Sequence, residues 1–473
     1  MPRTVALLLV SAFLLTGIGL VMVLSASSVA SFQSSGDSFL YLKRQAVYAA
    51  IGTVALLATI RISYRRWERW AIPLLVVTAI LLALALHPAI GSMRGGSSRW
   101  IVLGPVTIQP SELSKLAMVV FAAMILTRKW RRLGEPIHVL IPLAPVLVVV
   151  CGLIILQRDL GTTTIVAATV FVLVFAAGVR MRYLLFTGFV AAAAGWALIM
   201  GEHYRKVRFL SFLHPWADRT NSGYQLIQSL LGLGSGGLFG VGLGASRQKW
   251  MYIPNAHTDF IFSILGEELG LLGELVVLAL FVTLVYCGIR IASRVTDTFG
   301  RLLATGIVAW LALQTLINLG AVTGVLPVTG VPLPFVSFGG SSLIVTLAAV
   351  GILANIGRTA AAENGTAEDD VRRERREDRR ARRLLVGRHE RGMRMGRHDR
   401  RRPASAARTE PAVIVDDDRA HTRRRHPAGG GIAPRAPSPP PPRPQRPSVH
   451  RPDPPGRAGR KARARSSPAG GRR

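Results

Sequence analysis

Cysteine is nearly absent from this chain. Cys151 and Cys287 are the only two in 473 residues, and both sit inside apolar runs. They suggest neither a disulfide framework nor a metal site. Acidic side chains are scarce too: 26 Asp and Glu stand against 58 Lys and Arg. A nucleotide-binding signature is missing in all but letters. Gly232-Leu233-Gly234-Ser235-Gly236-Gly237 matches GxGxxG, but it follows no strand and opens no βαβ unit, which excludes a dinucleotide site. Gly236, Gly240 and Gly244, four residues apart, suit close packing or a flexible re-entrant turn instead. No nucleic acid partner is called for.

What the chain has is hydrophobicity. Apolar residues make up 50% of it and the mean hydropathy is +0.35, a membrane composition. Apolar runs near 5–25, 44–60, 71–89, 110–127, 136–156, 159–179, 183–200, 260–289, 301–323 and 341–357 predict ten spans. The expected fold is an all-α polytopic membrane protein with a large external loop between spans seven and eight. Ser28-Val29-Ala30 fits a signal-cleavage box. The apolar run before it is longer than a usual signal core, so it is read as a helix that stays.

Positive charge sets the expected orientation. Arg61, Arg65, Arg66 and Arg69 follow span two, and Arg128, Lys129, Arg131 and Arg132 follow span four. Arg180 and Arg182 follow span six, and Arg290, Arg294 and Arg301 flank the loop after span eight. All share a side with Arg3 and the C-terminal tail, which places both termini in the cytoplasm. The loop 201–258 is external yet basic, through Arg205, Lys206, Arg208, Arg219, Arg247 and Lys249. Long loops escape the positive-inside bias. Such a loop suits a pyrophosphate-bearing ligand, or equally anionic lipid headgroups. Residues 359–473 hold 31 Lys and Arg against 14 Asp and Glu, leaving 27 against 12 in residues 1–358. The expected domains are a membrane body, 1–358, and a disordered Arg/Pro-rich cytoplasmic tail, 359–473. The tail suits a tether to anionic lipid or a docking arm for a cytoplasmic protein.

The few acids of the body narrow the search for chemistry. Glu112, Asp159 and Asp259 each start a span at its external end, so together they could line one cavity. Helix capping would account for each as simply. Pro110 at the first helical position strengthens the cap reading for Glu112. Arg158 or Lys115 could pair with Asp159, and Thr258 can cap in place of Asp259. Glu267 and Glu268 would each cost ~2.5 kcal/mol or more against lipid. Residues 256–270 should therefore line a protein or water cavity, with the bilayer crossed by Leu271–Ile289 and Glu274 needing a partner. Pro327, Gly330, Pro332 and Pro334 break helix before Gly339-Gly340-Ser341-Ser342. That is a rigid turn with a cap, or the floor of a cavity.

Seven motifs occur in order. They are Ser98-Arg99-Trp100-Ile101, Gln109-Pro110-Ser111-Glu112-Leu113-Ser114-Lys115, Asp159-Leu160-Gly161-Thr162, Gly223-Tyr224-Gln225, Ala256-His257-Thr258-Asp259-Phe260, Gly266-Glu267-Glu268-Leu269-Gly270 and Pro332-Leu333-Pro334-Phe335-Val336-Ser337-Phe338-Gly339-Gly340-Ser341-Ser342. Across residues 5–358 the chain resembles the SEDS proteins (shape, elongation, division and sporulation). The resemblance implies a peptidoglycan glycosyltransferase in the bacterial cytoplasmic membrane that polymerises lipid II at its outer face. It also implies a class B penicillin-binding transpeptidase and other division proteins as partners, with cytoplasmic division proteins as candidates for the tail. Ser246-Arg247-Gln248-Lys249-Trp250, Pro254-Asn255-Ala256-His257 and Gly266-Glu267-Glu268 are similar to the septal branch, Pro327-Val328-Thr329-Gly330-Val331-Pro332 to the elongation branch. Septal duty is the expectation.

The implied reaction is an inverting glycosyl transfer from a glycan on undecaprenyl pyrophosphate to the 4-hydroxyl of the lipid II GlcNAc. Asp259 matches the family's catalytic aspartate and is the expected base. Arg99, Lys115, Arg205 and Arg208 are the candidates to hold pyrophosphate. Glu112, Asp159, His257, Ser341 and Ser342 are further candidates to line the substrate site. Trp100 could stack a sugar or anchor at the interface, and His257 could orient Asp259 or only contact the loop. A divalent cation could share the pyrophosphate's charge, though the sequence shows no closed ligand set. Three positions depart from the family: Arg158 replaces a proline, Thr107 stands where some relatives carry a base, and Phe338 replaces tyrosine. A lipid II flippase and a non-enzymatic scaffold are the rival classes. The first needs ionisable residues mid-span, and the second leaves Asp259, Glu267 and Glu268 without a role.

Overall fold

The computed structural model describes residues 2–363 except 89–90, 95–96, 104–105, 134, 136, 221–222 and 251–255. Pro254, Asn255 and the basic tail from residue 364 lie outside the described residues. In chain order the helices are α1 (Arg3–Ser35), α2 (Leu40–Arg61), α3 (Arg65–Leu86), α4 (Pro110–Arg128), α5 (Ile137–Leu156), α6 (Leu160–Ala176) and α7 (Met181–Met200). They continue with α8 (His203–Leu213), α9 (Tyr224–Ser235), α10 (Ile261–Arg294), α11 (Thr298–Val322) and α12 (Gly340–Glu363). All ten segments read as spans are helical. Among the described residues seven helices are both long and apolar enough to cross a bilayer, while Leu140–Leu156 and Leu160–Ala176 are apolar but shorter. The chain is a multipass membrane protein.

Three features depart from the expectation. The loop after α3 is a small antiparallel sheet of β1 (Gly91–Arg94), β2 (Ser97–Leu103) and β3 (Val106–Ile108). Trp100, Ile101 and Val102 face Ser92, Ile108 and Thr107 across its ladders. These β-branched and aromatic residues favour a strand, but strands this short leave little periodic signal. The long loop after α7 is largely helical, holding α8 and α9. And α12 runs past residue 358 to Glu363, which Arg65 meets at 2.9 Å.

The two ends of the bundle differ in chemistry. Arg128 meets Glu68 at 3.4 Å, and the Arg301 guanidinium lies 5.1 Å from the Trp130 ring. The arginine-rich loops therefore gather at one end, and the sheet, α8 and α9 at the other. Helices α4 and α12 are mostly buried, whereas α7 leaves most of its length exposed. A polar cluster at α4, α6 and α11 interrupts the apolar core: Glu112, Lys115, Asp159, Thr162, Gln314 and Asn318 are all nearly inaccessible.

Helix α10 is two helices joined at a break. Gly270 has φ 66° and ψ −169°, a conformation open in practice to glycine alone. Glu267 and Glu268, on the short first part, are buried by protein. Glu267 accepts from the Arg247 amide at 2.9 Å and from the Ser246 hydroxyl. Glu268 accepts from Ser25 of α1 at 2.6 Å. The structure thus relieves the lipid-facing cost of these two acids with protein donors, and the second part of α10 runs from Leu271 to Arg294.

Candidate active site

Asp159 caps α6 and joins three elements at the sheet end. Its carboxylate accepts from the Thr162 amide at 3.1 Å and hydroxyl at 2.9 Å. Ser111 and Gln109, at the start of α4, each donate to it at 3.2 Å. The Gln109 amide in turn donates to Ser341 Oγ at 3.0 Å, tying in the start of α12. On the far side Arg99 of β2 approaches Asp159 at 3.9 Å and donates to the carbonyls of Gln157 at 3.4 Å and Arg158 at 2.6 Å. Arg99 therefore serves as a cationic cap on the carbonyl end of α5. Arg99 thus pairs with Asp159, while Lys115 pairs with Glu112 instead. Arg158 has φ 59°. A proline ring cannot adopt that angle, so this turn takes a form closed to proline.

Asp259 lies just before α10 and differs from Asp159 in its commitments. Its backbone carbonyl accepts from Asn318 at 2.8 Å. Its carboxylate packs beside Gly330, where an added Cβ would come within 3.5 Å. The residue stays partly exposed. Burial among protein atoms pushes its acid constant up to about 6. Arg99 and Arg208 oppose that rise, the Asp159 charge adds to it, and a hydrogen bond from Thr258 opposes it. Asp259, Asp159, Arg99 and Arg208 therefore form one electrostatic cluster built from α6, α8, β2 and the residues before α10.

The other sequence candidates fall around this cluster in different ways. Lys115 and Glu112 pair with each other at 2.7 Å, and both are buried. Lys115 also donates to Gln314 at 2.8 Å and lies 5.3 Å from the centre of the Trp310 ring. This lysine is held inside the bundle and is not presented as an open charge. His257 packs among rings, 4.8 Å from Tyr41 and 5.7 Å from Phe338, and its carbonyl accepts from the Phe338 amide at 2.9 Å. Burial pulls its acid constant down to about 4, so it is neutral at pH 7. Trp100 is half-buried on β2, Ser341 and Ser342 are buried at the start of α12, and Arg205 lies on α8 with its side chain outside the described residues. Among the described residues no group of three His, Cys, Asp or Glu stands together to hold a metal ion.

Three amides escaped the sequence reading. Residues 331–339 are irregular and mostly buried, and Phe335 has φ 66° in a tight turn in which the Val336 amide bonds to the Pro334 carbonyl at 2.8 Å. Irregular backbone at membrane depth survives only where protein satisfies it. Asn318 donates to the Val331 carbonyl at 2.7 Å, Gln314 to Pro332 at 2.9 Å, and Gln45 to Ser337 at 3.2 Å. Asn318 thus grips the strap and Asp259 together. The available signal was spacing: Gln314 and Asn318 stand four apart, on one helical face of an otherwise apolar span.

Residues 5–362 match the family model described as cell cycle protein, FtsW/RodA/SpoVE. The chain is 44% identical over 349 residues to the probable peptidoglycan glycosyltransferase FtsW of Geobacter metallireducens, covering 74% of this chain and 93% of that one. It is 44% identical over 352 residues to stage V sporulation protein E of Bacillus subtilis, covering 74% and 96%. Among solved structures it resembles a chain of a peptidoglycan synthase complex that coordinates polymerization and crosslinking, with TM-score 0.62, 32% identity and coverage of 75% and 97%. It also resembles the rod shape determining protein RodA of Thermus thermophilus, with TM-score 0.54, 31% identity and coverage of 74% and 95%.

Proposed function

This chain belongs to the FtsW–RodA–SpoVE family of cell cycle proteins, and on that premise we propose that it is a peptidoglycan glycosyltransferase of cell division. Its substrates are lipid II and a glycan growing on undecaprenyl pyrophosphate, and the sheet end of the bundle faces outward. The arginine-rich end and both termini lie in the cytoplasm. The observation that carries the reading is the difference between two carboxylates. Asp159 spends its oxygens on four hydrogen bonds. Asp259 stays partly exposed, with a raised proton affinity, beside Arg99 and Arg208.

In the reaction Asp259 takes the proton from the GlcNAc 4-hydroxyl as that oxygen bonds to the anomeric carbon of the donor sugar. The bond from that carbon to pyrophosphate breaks on the opposite face, giving inversion. Arg99 and Arg208 offset the charge gathering on the leaving group. Arg99 holds its place through the α5 carbonyls, so it meets the pyrophosphate already oriented. A divalent cation, if one binds here, would be held by Asp259 and would offset the charge of the pyrophosphate. The partner is a transpeptidase of the class B penicillin-binding type, as suits relatives named FtsW and a structural likeness to a complex that also crosslinks. The duty is septal: the FtsW and sporulation relatives are 44% identical, the RodA structure 31%.

The test supplies lipid II to the purified full chain, as wild type and Asp259→Ala, with a transpeptidase that has no glycosyltransferase domain. Wild type should make long strands, and Asp259→Ala should lose ~10²-fold or more of the rate while still binding the transpeptidase. Equal product from both chains would remove Asp259 from the chemistry. No product from either, with the transpeptidase bound, would favour the flippase or scaffold reading.

A further inference from the structure

Between Tyr224 and Ser246 the chain carries no charged residue, although the segments on either side are basic. The centre of this stretch, residues 236–244, alternates glycine with large apolar side chains. Leu238 is 61% exposed, Phe239 79% and Leu243 60%. A loop in water gains nothing by holding such side chains outward.

Its backbone behaves as backbone at a membrane does. The Val241 and Gly242 amides donate to the carbonyls of Glu267 and Glu268 at 2.9 and 3.1 Å. In return the Gly237 and Leu238 carbonyls accept from Leu271 and Leu272 at 3.0 and 3.3 Å. These are the groups that the break at Gly270 frees from the α10 ladder. Loop and broken helix thus satisfy each other without water, the condition for irregular chain close to lipid. Gly240 and Gly270 permit the approach, since a Cβ on either would collide with the backbone of the other segment.

Depth follows from α10. From Leu271 to Arg290 the helix rises about 30 Å, the thickness of the hydrocarbon layer. Glu274 is the one acid in that stretch, and its carboxylate bends back over Gly266, towards the sheet end. Leu271 and the loop paired with it therefore sit at the boundary between acyl chains and headgroups. Leu271, Leu272, Leu275 and Val276 are exposed on α10 beside the loop, so the apolar side chains of the loop continue the lipid-facing stripe of the span.

We propose that residues 236–244 form a lipid-dipping loop, with Leu238, Phe239 and Leu243 inserted among the acyl chains of the leaflet on the sheet side. The occupant of this surface is the bilayer and not a protein. Its purpose is anchorage: the loop leads straight into Ser246 and Arg247, which Glu267 holds next to the helix that follows Asp259.

Nitroxide accessibility tests this in the full chain. The label is placed at Phe239→Cys in a Cys151→Ala background, with the unlabelled-site parent as blank, in vesicles of phosphatidylethanolamine and phosphatidylglycerol. Val282→Cys, on the exposed face of α10, and Arg219→Cys, exposed in the polar loop, give the lipid and water references. Collisions with oxygen should exceed those with a water-soluble nickel chelate at Phe239→Cys, as at Val282→Cys. Leu243→Cys should give the same result and replaces Phe239→Cys if that variant does not reconstitute. A nickel-dominated signal like that of Arg219→Cys would put the loop in water and overturn the proposal. Shielding from both reagents would mean that protein covers the loop, a second copy in this single-component vesicle, and would overturn it equally.

Discussion

Asp259 owes its proposed role to a compromise between burial and charge. With its acid constant near 6, the carboxylate is ionised at pH 7 yet holds a proton more firmly than an ordinary aspartate. Polymerisation should therefore fall as pH drops through 6, and a rate profile with its acid limb near 4 would remove the perturbed group from the rate. The same shift acts on stability. The folded chain binds this proton more tightly than the unfolded one, so the contribution is complete below 3.8 and fades as pH rises through about 6. Asp259→Asn should lose activity and yet be the more stable chain at pH 7.5, by on the order of 2 kcal/mol, with the gap closing towards pH 4. Thermal midpoints across that range measure it. His257 works the other way: it is neutral when folded, and its contribution present above 6.5 is lost as pH falls towards 4. It is present in both chains and cancels in the difference. Asp259 stands out in the sequence as a candidate because acids are so few. The partner of Asp159 does not, because Arg99 reaches it from a sheet that short apolar strands conceal.

At the scale of elements, the joint between the glycine loop and α10 decides whether Glu267 keeps its partners Ser246 and Arg247. Gly240 has φ 79°, and an added Cβ would strike the Glu268 carbonyl, part of a backbone with little room to yield. Gly234 lies one residue before the end of α9 and has nothing within 4 Å of its would-be Cβ. Gly240→Ala should thus lower the unfolding midpoint sharply and slow polymerisation. Gly234→Ala should leave the midpoint unchanged or raise it, helix propensity adding up to about 1 kcal/mol of stability. Equal effects would mean that the loop does not dock as described. The helices themselves were readable, since an apolar run of span length has little else to become but a helix through a bilayer. The break at Gly270 was readable only as a change in how far charge could be buried. The strap 331–339 was seen as a helix breaker, but its supports were hidden, because Gln45, Gln314 and Asn318 look like ordinary polar residues until their carbonyl partners are placed.

For the whole molecule, the proposed function assigns catalysis to the membrane body. A chain ending at Glu363 should polymerise lipid II as the full chain does when both are given the same transpeptidase. A chain ending at Arg358 should lose little more, since the exposed Arg65–Glu363 pair is worth under about 1 kcal/mol. Loss of activity on removing residues 364–473 would give the tail a part in the reaction. The strap holding the site has one further property. Gln45 donates to a carbonyl 292 positions later, and Asn355 of α12 donates to the Ile60 carbonyl 295 positions earlier. Gln45 enters the membrane early in synthesis, and its partner is among the last residues of the body to be made. No growing chain can assemble the strap, and with it the seat of Asp259, before residues 331–339 have left the ribosome. A chain interrupted before the strap is complete is therefore inert, and a translation that stops inside the membrane body gives the cell no stray wall polymerase.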